Sequence, residues 1–213
     1  MWTCRMNENL FSGWCCILTR RTLFHCVFQA AVLMVAAGVL HPVSASASDN
    51  NPDPVAKPVC FDTNRHRVIA RDRTAEVGQD IVVRGRITGP CRFDKKTGDW
   101  IVSGRDDADY VQKVIEPYLF IDSGTAAMRG FSIYDMATRK RLYHGATQDQ
   151  PRYGKTDVTL WVVTDRPVTQ ANCPDLKQFK AQGGGAVIEA ETSFRYADAT
   201  VHQTGAVRCA YTE

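Results

Sequence analysis

The chain has 213 residues, with 26 Lys and Arg against 23 Asp and Glu and a formal charge of +3. Such a balance gives no bulk electrostatic drive toward nucleic acid or an anionic membrane, and the basic triplets Arg65-His66-Arg67 and Arg139-Lys140-Arg141 read as solvated turn or strand faces. The length is enough for one domain of ordinary size with a buried core.

At the N-terminus, Arg20 and Arg21 precede an apolar stretch over 23–40, and Ser44-Ala45-Ser46-Ala47 closes it. Charged region, hydrophobic region and small-residue cleavage site in that order predict an export signal over 1–47. His25 and Gln29 interrupt the apolar run, which favours a cleaved signal over a retained membrane anchor. The paired arginines followed by Leu23 and Phe24 also resemble a twin-arginine export motif, although general secretory signals use such pairs too. Cleavage after Ala47 would take three of the 26 basic and one of the 23 acidic residues, leaving 23 against 22. The expected localisation is periplasmic or secreted, in an oxidising compartment.

Residues 48–58, rich in Asp, Asn and Pro, predict a flexible leader, and 59–213 a single β-rich domain. Four cysteines remain in it, Cys60, Cys91, Cys173 and Cys209, which predicts two disulfides with three possible connectivities. Pairing Cys60 with Cys91 and Cys173 with Cys209 closes a moderate loop in each half of the chain and is the favoured arrangement. A four-cysteine zinc site is disfavoured, because the mature chain has no closely spaced C-x₂₋₄-C pair.

From Val68 onward the pattern is strands and turns. Strands are expected at 80–87, ending at the turn Thr88-Gly89-Pro90, and at 100–103 after the turn 95–99. Further strands are expected at 118–121, 130–134 and 141–144, the last two joined as a hairpin through 135–140. Residues 157–164 carry Val158, Leu160 and Val162 on one face and Trp161 and Val163 on the other, so this strand is expected to be central and covered on both sides. Residues 174–182 form the one predicted helix, with Pro174 in its first turn, Leu176 and Phe179 three apart, and Gly183 as a stop. Gly183-Gly184-Gly185 reads as a flexible connection, and final strands are expected near 187–195 and 205–211. The pattern has no α/β alternation, so the fold class is all-β, a β-sandwich or small barrel with one short helix, stabilised by disulfides.

One segment resembles a catalytic motif. Leu119-Phe120-Ile121-Asp122-Ser123-Gly124-Thr125-Ala126 is an apolar strand delivering Asp-Ser-Gly-Thr into a turn, and it resembles the active-site strand of the aspartic proteases. The resemblance implies Asp122 as one of two carboxylates sharing a proton. The chain has no second Asp-Ser/Thr-Gly, so the implied enzyme is a retropepsin-like homodimer with the second carboxylate supplied by symmetry. The glycines of 183–188 precede the apolar pair, the reverse of what such a dimer needs, and Arg129 would sit in an apolar layer. The competing reading is a strand end entering a β-turn, for which Asp-Ser-Gly is a preferred composition.

The mature histidines, His66, His144 and His202, form no metal-ligand spacing, and no G-x-S-x-G elbow is present. The acidic loop Arg105-Asp106-Asp107-Ala108-Asp109-Tyr110 lacks the glycine and late glutamate of a calcium loop. No cofactor or metal is therefore expected. An exported β domain without an assembled catalytic set reads as a non-catalytic binding module, with loops 105–110 and 145–153 as its recognition face. Arg105, Tyr110, Arg152 and Tyr153 are the candidate binding residues, since tyrosine and arginine are enriched at interface hot spots. The expected partner is an envelope protein, an extracellular enzyme or a glycan. The alternatives are the dimeric protease and a structural envelope component.

Overall fold

The computed structural model describes residues 56–102 and 108–213. The export signal, most of the leader and Arg105 lie outside the described residues.

The described residues form three four-stranded antiparallel sheets. The first takes β1 (Val59–Asp62), β2 (His66–Asp72), β3 (Gln79–Gly85) and β4 (Trp100–Ile101) in that order. The second takes β5 (Asp109–Ile115), β6 (Tyr118–Ser123), β7 (Arg129–Asp135) and β8 (Lys140–Thr147). In the third, β9 (Arg152–Tyr153), β10 (Asp157–Val163), β11 (Gly185–Arg195) and β12 (Thr200–Thr212) lie side by side, with α1 (Leu176–Ala181) between β10 and β11 in the chain. Each sheet is a meander whose pairs are consecutive in sequence, joined mostly by short turns but by longer connections over 86–99 and 164–184. The all-β architecture with one short helix is the expected one.

Successive side chains of a strand point to opposite faces, and β6 uses both. Leu119 and Ile121 pack with Val68, Ala70, Ile81 and Val83 of the first sheet, while Tyr118 and Phe120 join Phe131, Ile133, Val158, Leu160 and Phe194. The second sheet is therefore the middle layer, with a core on each side. Phe120 is fully buried, stacked near Phe131 at 6.2 Å and edge-on to Tyr153 at 5.3 Å.

The strand expected to be covered on both sides, β10, is covered on one. Val158 and Leu160 are buried in the core, but Trp161 and Val163 are only half-buried. Trp161 is capped by the Arg208 guanidinium, 4.4 Å from its ring, and not by a further apolar layer. An indole accepts a cation on its face as readily as a hydrocarbon neighbour, so an apolar pattern on two faces does not demand two cores.

Both disulfides join the favoured partners. Cys60 and Cys91 have their Cα atoms 5.8 Å apart, and Cys173 and Cys209 5.2 Å. Each closes a loop of about thirty-odd residues and contributes about 2–4 kcal/mol by restricting the unfolded chain. Two such bridges are consistent with an oxidising environment. The helix is shorter than the predicted 174–182, and its Phe179 meets Tyr211 edge-on at 5.5 Å. Gly183 stops it at a φ of +84°, and a Cβ on Gly184 would lie 2.2 Å from the Tyr211 ring, so the glycine run fits a turn and a close approach, with Gly185 already in β11. Among the described residues no helix is long and apolar enough to cross a membrane.

Candidate functional site

The site is built at one end of the middle sheet, where β6 turns into β7. Antiparallel register places Asp122 opposite Phe131, so Arg129, two residues back along β7, shares its face. The Arg129 guanidinium lies 2.7 Å from the Asp122 carboxylate, and Gln112 Nε2 donates to the same carboxylate at 3.1 Å. Asp122 is 4% exposed. Burial pushes its carboxyl above the ordinary range, against the opposing pull of Arg129 and Gln112. Ser123 Oγ donates to Asp109 at 2.5 Å, so the hydroxyl of the Asp-Ser-Gly motif serves the neighbouring strand. Gly124, at a φ of +102°, opens the turn, and its N–H donates to Ala108 O at 3.0 Å.

This geometry gives Asp122 a guanidinium partner where a proton-sharing dyad needs a carboxyl. Within one chain it does not make the pair that the aspartic-protease resemblance implies.

Beyond the ion pair the surface opens into a depression of about 610 Å³ lined by Tyr110, Gly124, Thr125, Ala126, Ala127, Arg129, Gln148 and Asp149. Tyr110, expected in a recognition loop, lies instead near the start of β5, whereas Gln148 follows β8 in the second expected loop. The Tyr110 hydroxyl accepts the Gly78 N–H at 3.0 Å, which fixes its ring. Gln148 Nε2 is buried without an acceptor among the described residues. Asp149 holds Arg208 Nη2 at 2.5 Å, and Arg208 Nε donates to the fully buried Glu189 at 2.6 Å. The rim is therefore charge-balanced, with each charge fixed from behind by an opposite one.

The other expected binding residues lie elsewhere. Arg152 is exposed on β9 and ion-paired with Glu191. Tyr153 turns its ring into the core against Phe120, its hydroxyl buried without a partner and its phenol pushed up by burial. A Tyr in a short strand beside a core works as packing, and the loop reading of 145–153 hid that strand. Conversely, Arg129 enters the sequence reading only as an obstacle to the protease, and Asp149 only as an unnamed member of the loop 145–153. The signal for Arg129 was its distance of seven residues from Asp122 across a turn, which becomes a same-face contact only once the register is known.

Among the described residues no three His, Cys, Asp or Glu side chains are grouped to hold a metal ion. Comparison of the chain with protein-family models, with curated proteins and with solved structures found no match.

Proposed function

We propose that the chain is an exported, non-catalytic binding module that engages an envelope protein, an extracellular enzyme or a glycan at the depression beside the β6–β7 turn. The observation that carries this reading is the convergence of Tyr110 on β5 and Gln148 in the loop after β8 with Arg129 and Asp149 around one open polar surface. Tyr and Arg supply contact area and directed hydrogen bonds at little entropic cost, and a meander scaffold holds them in place. The export signal over 1–47 and the two disulfides support a periplasmic or secreted setting.

The test is affinity capture with the oxidised protein from envelope and culture-medium extracts and from an immobilised glycan panel. Tyr110→Ala with Gln148→Ala is expected to lose the retained partner while the fold, read by circular dichroism, stays intact. Retention by the variant as strong as by the wild type, or no saturable partner in any extract or panel, would remove this reading.

A further inference from the structure

The first sheet carries a second, separate pocket on its outward face. Cross-strand register aligns Asp62 with Arg67, Arg67 with Arg84 and Ile69 with Val82, all on the side away from the core. Ile69 and Val82 are nonetheless fully buried, because the segment 87–99 folds over them. The Cys60–Cys91 bridge anchors that segment, Arg67 Nη1 donates to Gly89 O at 3.2 Å, and the Arg71 guanidinium stacks on Phe93 at 4.1 Å. Arg84 Nη1 reaches Asp94 at 3.0 Å and Nη2 reaches Asp99 at 2.6 Å.

Beneath this flap lies a pocket of about 250 Å³ with an apolar floor at Ile69, walled by Thr88, Gly89 and Pro90. Its charged lining is Arg67, Arg84, Arg92 and Lys96 against Asp94 alone. Asp62 and Asp99 hold Arg67 and Arg84 from behind, so the pocket keeps a positive excess even when both are counted. Placing Arg67 and Arg84 directly opposite each other on adjacent strands is unfavourable unless anions surround them. Although Arg84 is ion-paired with both Asp94 and Asp99, donors remain free around the pocket. Arg92 has no carboxylate partner among the described residues, and Arg84, nine-tenths buried, keeps its Nε donor without an acceptor.

We propose that this pocket binds one tetrahedral oxyanion, a phosphate or sulfate group, free or carried on a small saccharide. Guanidinium groups rise from the sheet floor at Arg67 and Arg84, and further cations come from the flap at Arg92 and Lys96. Donors from two sides suit a tetrahedral anion better than a planar one, and guanidinium forks bind phosphate oxygens in pairs. The volume admits the anion with at most one sugar ring. The disulfide makes the pocket depend on oxidation, because it ties the flap to β1.

The experiment is an NMR titration of the exported, oxidised protein with sodium phosphate, sodium sulfate, glucose 6-phosphate and glucose 6-sulfate, at ionic strength held constant with chloride. Saturable shifts of the Thr88, Gly89 and Arg92 amides and of the Arg84 Nε–H are expected, with at least tenfold weaker binding in the double variant Arg92→Ala, Lys96→Ala. Both substituted side chains are exposed, so the rest of the spectrum is expected to stay unchanged. Tighter binding of the sugar esters assigns the saccharide-borne group, and equal binding assigns the free anion. Shifts that grow without saturation in every titration, or an undiminished affinity in the double variant, overturn the proposal.

Discussion

β6 and β10 are each rich in apolar residues on two faces, yet they solve the burial of those faces differently. β6 lies in the middle sheet and presents Leu119 and Ile121 to one core and Phe120 to the other. β10 gives Val158 and Leu160 to a core and leaves Trp161 to the Arg208 guanidinium. The contrast shows that a charged group can finish a β layer where a further apolar layer would otherwise be needed. Arg208 does so because Glu189 and Asp149 fix it, and because its guanidinium sits over an aromatic face.

The largest expected effect that separates the two strands is at Phe120. Phe120→Ala is expected to cost about 3–5 kcal/mol, since the ring is fully buried between sheets that cannot collapse into the space. Trp161→Ala is expected to cost about 1–2 kcal/mol, from half-buried area and one cation–π contact. Urea denaturation of both variants gives the ratio, and equal losses would dissolve the distinction between a core face and a capped face.

Asp122 sharpens the comparison on the polar side of the middle sheet. Asp122→Asn loses the attraction of Arg129 but also relieves the burial of a charge, so it is expected to cost at most about 1 kcal/mol, well below a fully buried pair, because the two effects oppose each other and Arg129 remains partly solvated. Adding Arg129→Met is expected to return part of that loss, and strict additivity in the double-mutant cycle would mean the ion pair is not coupled.

The smallest effects are those of pH, and their sign differs between the middle and the periphery. Asp62 and Asp94 are held below the ordinary carboxylate range by hydrogen bonds from Arg67 and Arg84, and Asp198 is held down to about 2 by the Thr200 hydroxyl and Arg195. Each is lower in the folded than in the unfolded chain, so its stabilisation is complete above about pH 4 and is lost as the pH falls through the folded value. Asp122 is raised, so its ionisation works against stability near neutrality and acid relieves it. Acidification from about pH 5 to about pH 2 is therefore expected to erase NMR signals of Gly89 and Thr200 before those of Leu119 to Ile121. Simultaneous loss of both sets would contradict the assignment of signs.

The strands of the fold were legible where β-branched and aromatic residues ran between turn signals, as in β3, β7 and β10. They were hidden where something shifted the parity. A bulge between Val111 and Lys113 resets the alternation of β5, so this strand reads as a loop continuing the acidic run before it. Gly145 reads as a strand end but lies inside β8. There a Cβ would fall 2.5 Å from the Tyr143 hydroxyl and 3.0 Å from Val162, so the residue marks a close approach to β10. The first part of β12, Thr200 to Gln203, is a polar exposed edge with no core pattern to announce it. Of the candidate site, Gln148 and Asp149 fell within the expected loop 145–153, Tyr110 was named from a loop reading of a residue that lies in β5, and Arg129 required strand register. Pairings between strands are set by three-dimensional neighbours that a single-strand pattern does not contain.

The two disulfides define two covalent rings, one closing at Cys91 and the other opening at Cys173, and no bridge spans the stretch between them. All four strands of the middle sheet lie in that open stretch. A proteolytic cut inside either ring would leave the pieces tethered, and they would part only on reduction. A cut in the exposed turn at Arg139, between β7 and β8, would sever the chain into two pieces that only noncovalent packing holds together. The layer that both cores depend on is thus the one whose continuity rests on a single strand of peptide.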